Sequence, residues 1–295
     1  LARELALPDQ KQKGWEFTDL AGLDLDAFPI ADPIVEGVED GTDSDDGPAV
    51  VMPLHQAAER LRDVVGDRFG SIVSLSDPFV ARNEAEWRNG LMVYVPRGQR
   101  LTEPVRVKVR QTEDGTAVAW RTLIVLEEGA EAEVWESYES EDSVAGLFNG
   151  VVEIFVGQGA NLRYVCEQEL SERSWIFATQ RAEIGQDANL DWVALGFGSA
   201  RGKVRMETKL AGRGSSARVT GAYAGSGAQH LDYDTTQEHA AEHTTSDLAF
   251  RGVLAEKATA VWRGMIRVDP GAQQTDAFQE SRNLLLSHDA HADAI

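Results

Sequence analysis

Cysteine is almost missing from the sequence: Cys166 is the only one in 295 residues. One thiol cannot close an internal disulfide or build a multi-thiolate metal site. Long apolar runs are missing too. No stretch approaches the roughly 18 residues of a membrane-spanning helix, and the longest, such as Leu123-Ile124-Val125-Leu126, are strand-sized. Positive charge is scarce, with 28 Lys and Arg against 49 Asp and Glu and a formal charge of −21. Without a basic face the chain has no means of holding a phosphate backbone, so no nucleic-acid partner is expected. Residue 1 is Leu, not Met, and no basic-then-apolar leader follows. A cytoplasmic protein without a membrane partner, its natural N-terminus further upstream, is the expected reading.

Hydrophobic residues reach 42%, enough for a sizeable core and too many for a disordered chain. Their pattern changes along the sequence. Residues 1–90 read as a helical or mixed N-terminal segment. Near its start stands Trp15-Glu16-Phe17-Thr18-Asp19-Leu20, an aromatic cluster expected to be tied onto the body. An acidic, Gly-containing stretch over 36–48 reads as a mobile linker, without the full spacing of a calcium loop. Leu54, Ala57, Ala58, Leu61, Val64 and Val65 recur at helical spacing, predicting one amphipathic helix over 54–66. Asp77-Pro78 marks a turn.

From residue 91 to 295 short β-rich runs alternate with Gly, Asp and Asn turns, and no long helix is predicted. Within runs such as Val105-Arg106-Val107-Lys108-Val109, apolar and polar residues alternate, the period of a half-buried strand. A small turn ending in Ala precedes a strand at Gly129-Ala130, Gly159-Ala160, Asp187-Ala188 and Gly214-Ser215-Ser216-Ala217. The intervals are about 30 residues, the scale of a stacked solenoid. Closer copies follow at Lys257-Ala258, Gly271-Ala272 and Asp289-Ala290. These features favour a mainly β fold with a β-helix core over a sandwich. The helix at 54–66 is a candidate cap for one open end.

Candidate chemistry is sparse. His239-Ala240-Ala241-Glu242-His243 matches a zinc-peptidase pattern, but Thr-rich flanks are poor helix interior, and both histidines need a helix to face one metal. His230, Asp232, His239 and His243 form a polar patch whose simplest role is hydrogen bonding along stacked turns. Cys166 alternates with Tyr164 and Leu162 and is expected to be a small buried hydrophobe. Gly196 to Gly202 lacks a phosphate-loop ending and reads as a strand-connecting turn. No catalytic residue is assigned, and the cofactor and metal residues remain unknown. A carbohydrate-active β-helix enzyme is the alternative reading, requiring a flank cleft with clustered carboxylates and stacked aromatics.

Two stretches resemble the SufB/SufD family of iron–sulfur cluster assembly proteins. Trp15-Glu16-Phe17-Thr18-Asp19-Leu20 is similar to the W-K/R-Y/F-T-D-L motif of the SufD branch, with Glu16 departing from the usual basic residue. Val268-Asp269-Pro270-Gly271-Ala272-Gln273-Gln274-Thr275-Asp276-Ala277-Phe278-Gln279, followed by Ser281-Arg282-Asn283-Leu284-Leu285-Leu286-Ser287, resembles the family signature V-x-P-x-A-Q-x-T-D-x-x-Q…R-N-L-L-L-S. His230-x-Asp232 with His239, His243 and Ser246 is similar to a further family stretch. The resemblance implies a right-handed parallel β-helix and a scaffold subunit with no catalytic centre of its own. It implies a SufB-like paralogue as partner, and a SufC-like ATPase held through a C-terminal helical domain that this sequence does not include. No stably bound cofactor is implied, only a transient iron–sulfur cluster in the full complex. The family's C-x-H-G-A-T motif also falls beyond Ile295, and His288 and His291 match no functional position. An exposed terminal rung makes a homodimer a further expectation.

Overall fold

In the computed structural model, residues 5–38 and 49–295 are described. Of the linker expected over 36–48, all but 36–38 lies outside them. From the third strand onward the odd-numbered strands form one sheet, joined by the second strand, and the even-numbered strands the other, joined by the first. The first sheet runs β2 (Val50–Pro53), β3 (Asn89–Val95), β5 (Ala117–Leu126), β7 (Leu147–Val156), β9 (Trp175–Ile184), β11 (Arg201–Leu210), β13 (His230–His239), β15 (Thr259–Val268) and β17 (His291–Ala294). The second runs β1 (Ile34–Glu36), β4 (Val105–Gln111), β6 (Glu131–Ser140), β8 (Asn161–Glu169), β10 (Asn189–Gly196), β12 (Ser216–Gly225), β14 (Thr245–Leu254) and β16 (Asp276–Leu285). Every pairing from β3 onward is parallel, and the chain winds about seven turns of a β-helix. The expected fold class is the observed one.

The register shows the repeat directly. Ala117, Leu147, Trp175, Arg201, His230, Thr259 and His291 stack in one row across the first sheet. Side chains alternate in and out of the helix. Along β6, Ala132, Val134, Glu136 and Tyr138 point inward, while Glu131, Glu133, Trp135 and Ser137 face out. The inward rows form one continuous core that includes Trp120, Phe148, Tyr164, Trp192 and Phe250. No single rung has enough apolar surface to do this alone, so stacking supplies the burial.

The turn signal is confirmed, with a change in its periodicity. Gly129, Gly159, Asp187, Gly214 and Gly271 all have φ between 53° and 91°, where a Cβ is unwelcome. The small residues after them, Ala130, Ala160, Ala188, Ser215 and Ala272, are all buried. At the fourth copy the stacked residue is therefore Ser215, and Ala217 is already an inward residue of β12. The closer late copies arise because two corners are being counted together. Lys257-Ala258 and Asp289-Ala290 lie between even and odd strands, whereas Gly271-Ala272 lies between odd and even ones.

The N-terminal segment departs most from expectation. The helix predicted over 54–66 is two short helices, α1 (Leu54–Arg60) and α2 (Arg62–Gly66), broken at Leu61 (φ −118°, ψ 44°). They do not cap an end. Leu54, Ala57 and Val65 pack on the outward residues Met92, Leu123 and Val125 of the first sheet. The burial of both faces explains why Leu123 to Leu126 of β5 read as a continuous apolar run. The first rung is instead covered by β1 and β2, which add antiparallel to β4 and β3. Asp77-Pro78 opens a third helix, α3 (Pro78–Glu86), with the Asp77 carboxylate accepting from the Phe79 and Val80 amides and Pro78 at the first helical position. Among the described residues no helix follows Glu86.

Candidate functional site

The His-rich stretch is dispersed by strand parity. His230 and Asp232 lie on the outer face of β13, His239 lies on the inner face, and His243 sits in the following turn at φ 58°. The zinc-peptidase geometry is therefore absent: no helix brings His239 and His243 together. His239 is buried between Thr244 Oγ1 (2.7 Å from Nδ1) and Ser246 Oγ (2.9 Å from Nε2). Thr244 Oγ1 already donates to the Ala241 carbonyl, so it accepts from Nδ1–H, and Nε2 accepts from Ser246. Burial lowers its pKa below the usual 6.5, which favours this neutral ring. His230 is also lowered by burial, with Asp232 opposing, and its Nδ1 lies 2.8 Å from Thr259 Oγ1. Both histidines serve the stacking of rungs.

Asp232 instead joins an outer-face network. Lys203 Nζ donates to its Oδ1 at 2.8 Å, both groups being buried, and Thr18 Oγ1 donates to its Oδ2. Arg263 binds Glu16 at 2.8 Å, and this guanidinium holds Glu16 down to about 2. Trp15 stacks on Phe79 at 5.4 Å between ring centres. The tryptophan-containing motif is thus tied onto the body, across β11, β13 and β15. A second buried network joins Arg121 to Glu153 (2.9 Å) and Glu84 (2.7 Å), with Gly70 N–H donating to Glu153. Sequence reasoning missed it because Arg121 and Glu153 sit on outward positions, which normally face water.

The β-helix interior contains a polar cluster. Glu136 is fully buried and accepts from Trp120 Nε1 (2.9 Å), Thr122 Oγ1 (2.7 Å) and Tyr164 Oη (2.7 Å). Burial raises its pKa, and the three donors only partly offset that. Cys166, paired in register with Glu136, is buried as expected and shares its face with Tyr164 and Leu162. Burial pushes its thiol up to about 12, and Gln180 Nε2 donates to Sγ at 3.3 Å. The signal for Glu136 was legible: it holds an inward parity position between Val134 and Tyr138.

One outer groove of about 310 Å³ is lined by Arg100, Glu131, Glu133, Arg163 and Asp191, among others. Its carboxylates are engaged: Glu131 with Arg100 (3.4 Å), Asp191 with Arg163 (3.7 Å) and Glu133 with Trp135 Nε1 (2.6 Å). No aromatic side chain lines it, so the stacked sugar platform of a carbohydrate-active cleft is not built there. The turn expected at Gly196 to Gly202 is shorter than that, only 197–200: Gly196 closes β10, and Arg201 and Gly202 open β11. Among the described residues, no group of three or more His, Cys, Asp and Glu is arranged to hold a metal ion. His288 and His291 are exposed and lie beside Asp289 and Asp293.

The last rung carries the second motif and has a different surface. Val268, Phe278, Leu284, Leu285 and Leu286 are all exposed, as are Met265 and Ile295. β16 and β17 each stand last in their sheet.

A stacked parallel solenoid whose buried polar groups are engaged mainly with one another defines the class. Residues 109–295 match the family model described as SUF system FeS cluster assembly, SufBD core domain. That is well over half the chain, and the chain belongs to this family. An iron-sulfur cluster assembly SufBD family protein of Staphylococcus epidermidis is 27% identical over 230 residues, covering 77% of this chain and 49% of the relative. A SufBD family protein of Staphylococcus aureus strain USA300 shows the same identity and coverage. The chain spans about half the length of these curated relatives. No helix among the described residues is long and apolar enough to cross a membrane.

Proposed function

We propose that this chain is the β-helix core of a SufD-like scaffold subunit that serves iron–sulfur cluster assembly in the cytoplasm. The observation that carries this reading is the SufBD core match, which coincides with the β-helix from β4 to β17. The subunit is non-catalytic in this reading. It pairs with a SufB-like paralogue, and the longer protein holds a SufC-like ATPase through a further domain. A cluster is carried transiently by the assembled complex and is cargo, not a resident group. The SufD branch is favoured by Trp15 to Leu20, the docked motif that resembles it.

The pairing surface in this reading is the outward apolar face of β16. Exposed apolar patches on otherwise acidic proteins mark contact surfaces, and Phe278 and Leu284 form one on the outward face of β16. The test is co-expression of the full-length protein with a SufB-like paralogue and the ATPase under anaerobic, reducing conditions. Recovery of both partners, and loss of the paralogue with Leu284→Asp and Leu286→Asp, is the expected result. Recovery of neither partner by the unaltered protein overturns the scaffold reading. Pairing that survives both aspartates overturns the surface assigned to it.

A further inference from the structure

A small cavity interrupts the core midway along the β-helix. It has a volume of about 20 Å³, and its walls include Tyr138, Cys166, Gln168, Gln180 and Tyr233. That volume accommodates about one water molecule. Two polar atoms in the walls have no hydrogen-bond partner in the protein, Tyr138 Oη and Gln180 Oε1. Their residues are 1% and 2% exposed. Gln168, by contrast, is satisfied: its Nε2 donates to the Gly198 carbonyl at 2.9 Å and its Oε1 accepts from the Leu170 amide.

Leaving a buried donor or acceptor unpaired is costly, and natural cores rarely do so twice around one cavity. The two orphan atoms are also complementary. Tyr138 offers a hydroxyl proton, and Gln180 offers a carbonyl oxygen. Gln180 cannot escape by rotating its amide, because the Cys166 contact then takes the oxygen and leaves the NH₂ group facing the cavity. Cys166 supplies a third group: its sulfur accepts from Gln180, and its S–H proton still needs an acceptor.

We infer that this cavity is a binding site for a single structural water, which accepts from Tyr138 Oη–H and the Cys166 S–H and donates to Gln180 Oε1. Three partners of this kind are the usual complement of a buried water. The water completes the polar cluster that begins at Glu136 and joins the two sheets, since Tyr138 and Cys166 belong to β6 and β8 and Gln180 to β9. It also gives the core an internal probe, because exchange with solvent requires the rungs to part.

The test is a crystal structure of the full-length protein at a resolution that shows ordered solvent, with Gln180→Met as the matched variant. The expected result is one well-ordered peak within hydrogen-bond distance of Tyr138 Oη and Gln180 Oε1 in the unaltered protein. Gln180→Met, of similar volume but without a carbonyl, loses it. In solution, oxygen-17 relaxation dispersion counts one fewer long-lived water in Gln180→Met. A closed cavity in which Tyr138 Oη bonds directly to a protein atom overturns the inference. So does an equal number of long-lived waters in the two proteins. If Gln180→Met does not fold, Tyr138→Phe serves in its place, with a weakened or missing peak expected.

Discussion

Lys203 and Asp232 face each other at 2.8 Å on adjacent strands β11 and β13, both buried, beneath a segment that begins some 200 residues earlier. The cover is the N-terminal motif, whose Thr18 donates to the same carboxylate. A buried pair is expensive to break from one side, because the remaining charge is stranded. Asp232→Ala is therefore expected to cost about 3–5 kcal/mol. Thr18→Val, which removes one donor, costs about 1 kcal/mol. The paired replacement Lys203→Met with Asp232→Leu recovers most of the loss. Urea denaturation of the unaltered protein, Lys203→Met, Asp232→Leu and the double variant checks this as a double-mutant cycle, and an additive double variant refutes the coupling.

Much of this architecture could be read from the sequence, and the exceptions share a physical cause. The strand alternation and the turns at Gly129, Gly159 and Asp187 announced a solenoid because both are local properties, set by backbone pleat and positive φ. The inward setting of Cys166 followed from the same parity. What stayed hidden depended on distant segments. Nothing local to Arg121 or Glu153 says that α3 and the Gly70 loop will cover them. Asp232 looked like part of a histidine patch because residue spacing along a strand does not reveal which face another segment will occupy. Leu61 broke the predicted helix for a similar reason: the periodic pattern describes a face, while the shape of the sheet beneath sets where that face must bend.

His239 makes stability depend on pH in a definite direction. Its native pKa lies below the ordinary 6.5, so above that value neither state gains a proton and no effect appears. As pH falls below about 6.5 the unfolded chain takes up a proton that the native ring refuses, and stability drops, by at most about 1.4 kcal/mol per pH unit for one site. His230, shifted the same way, adds to the slope. His239→Gln should therefore show a shallower loss of urea stability between pH 7.5 and 5.5 than the unaltered protein. Equal slopes refute a neutral, buried ring.

Cys166 should resist thiol reagents until the β-helix opens. With its pKa pushed from 9 to about 12, its thiolate fraction at neutral pH falls about a thousandfold, before access is considered. The expected result is negligible labelling by an aromatic disulfide reagent in buffer, with the rate rising along the global unfolding curve in urea. Rapid labelling of the native protein would show that the lumen is open to solvent at β8.

Two glycines with positive φ should respond very differently to alanine. At Gly271 (φ 91°) an added Cβ meets nothing within 4 Å, so only the backbone conformation resists it, at about 1 kcal/mol. At Gly202 (φ 154°) the same atom falls 1.8 Å from the Ile176 carbonyl oxygen on β9. That oxygen belongs to the sheet backbone and cannot rotate away as a side chain would. Relief requires β9 and β11 to separate at the middle of the stack, which disturbs the core on both sides. Gly202→Ala is accordingly expected to cost roughly 3 kcal/mol or more. Thermal and urea unfolding of the two variants checks the contrast. Comparable losses at both positions would mean that the rungs slide past one another more freely than their parallel register implies.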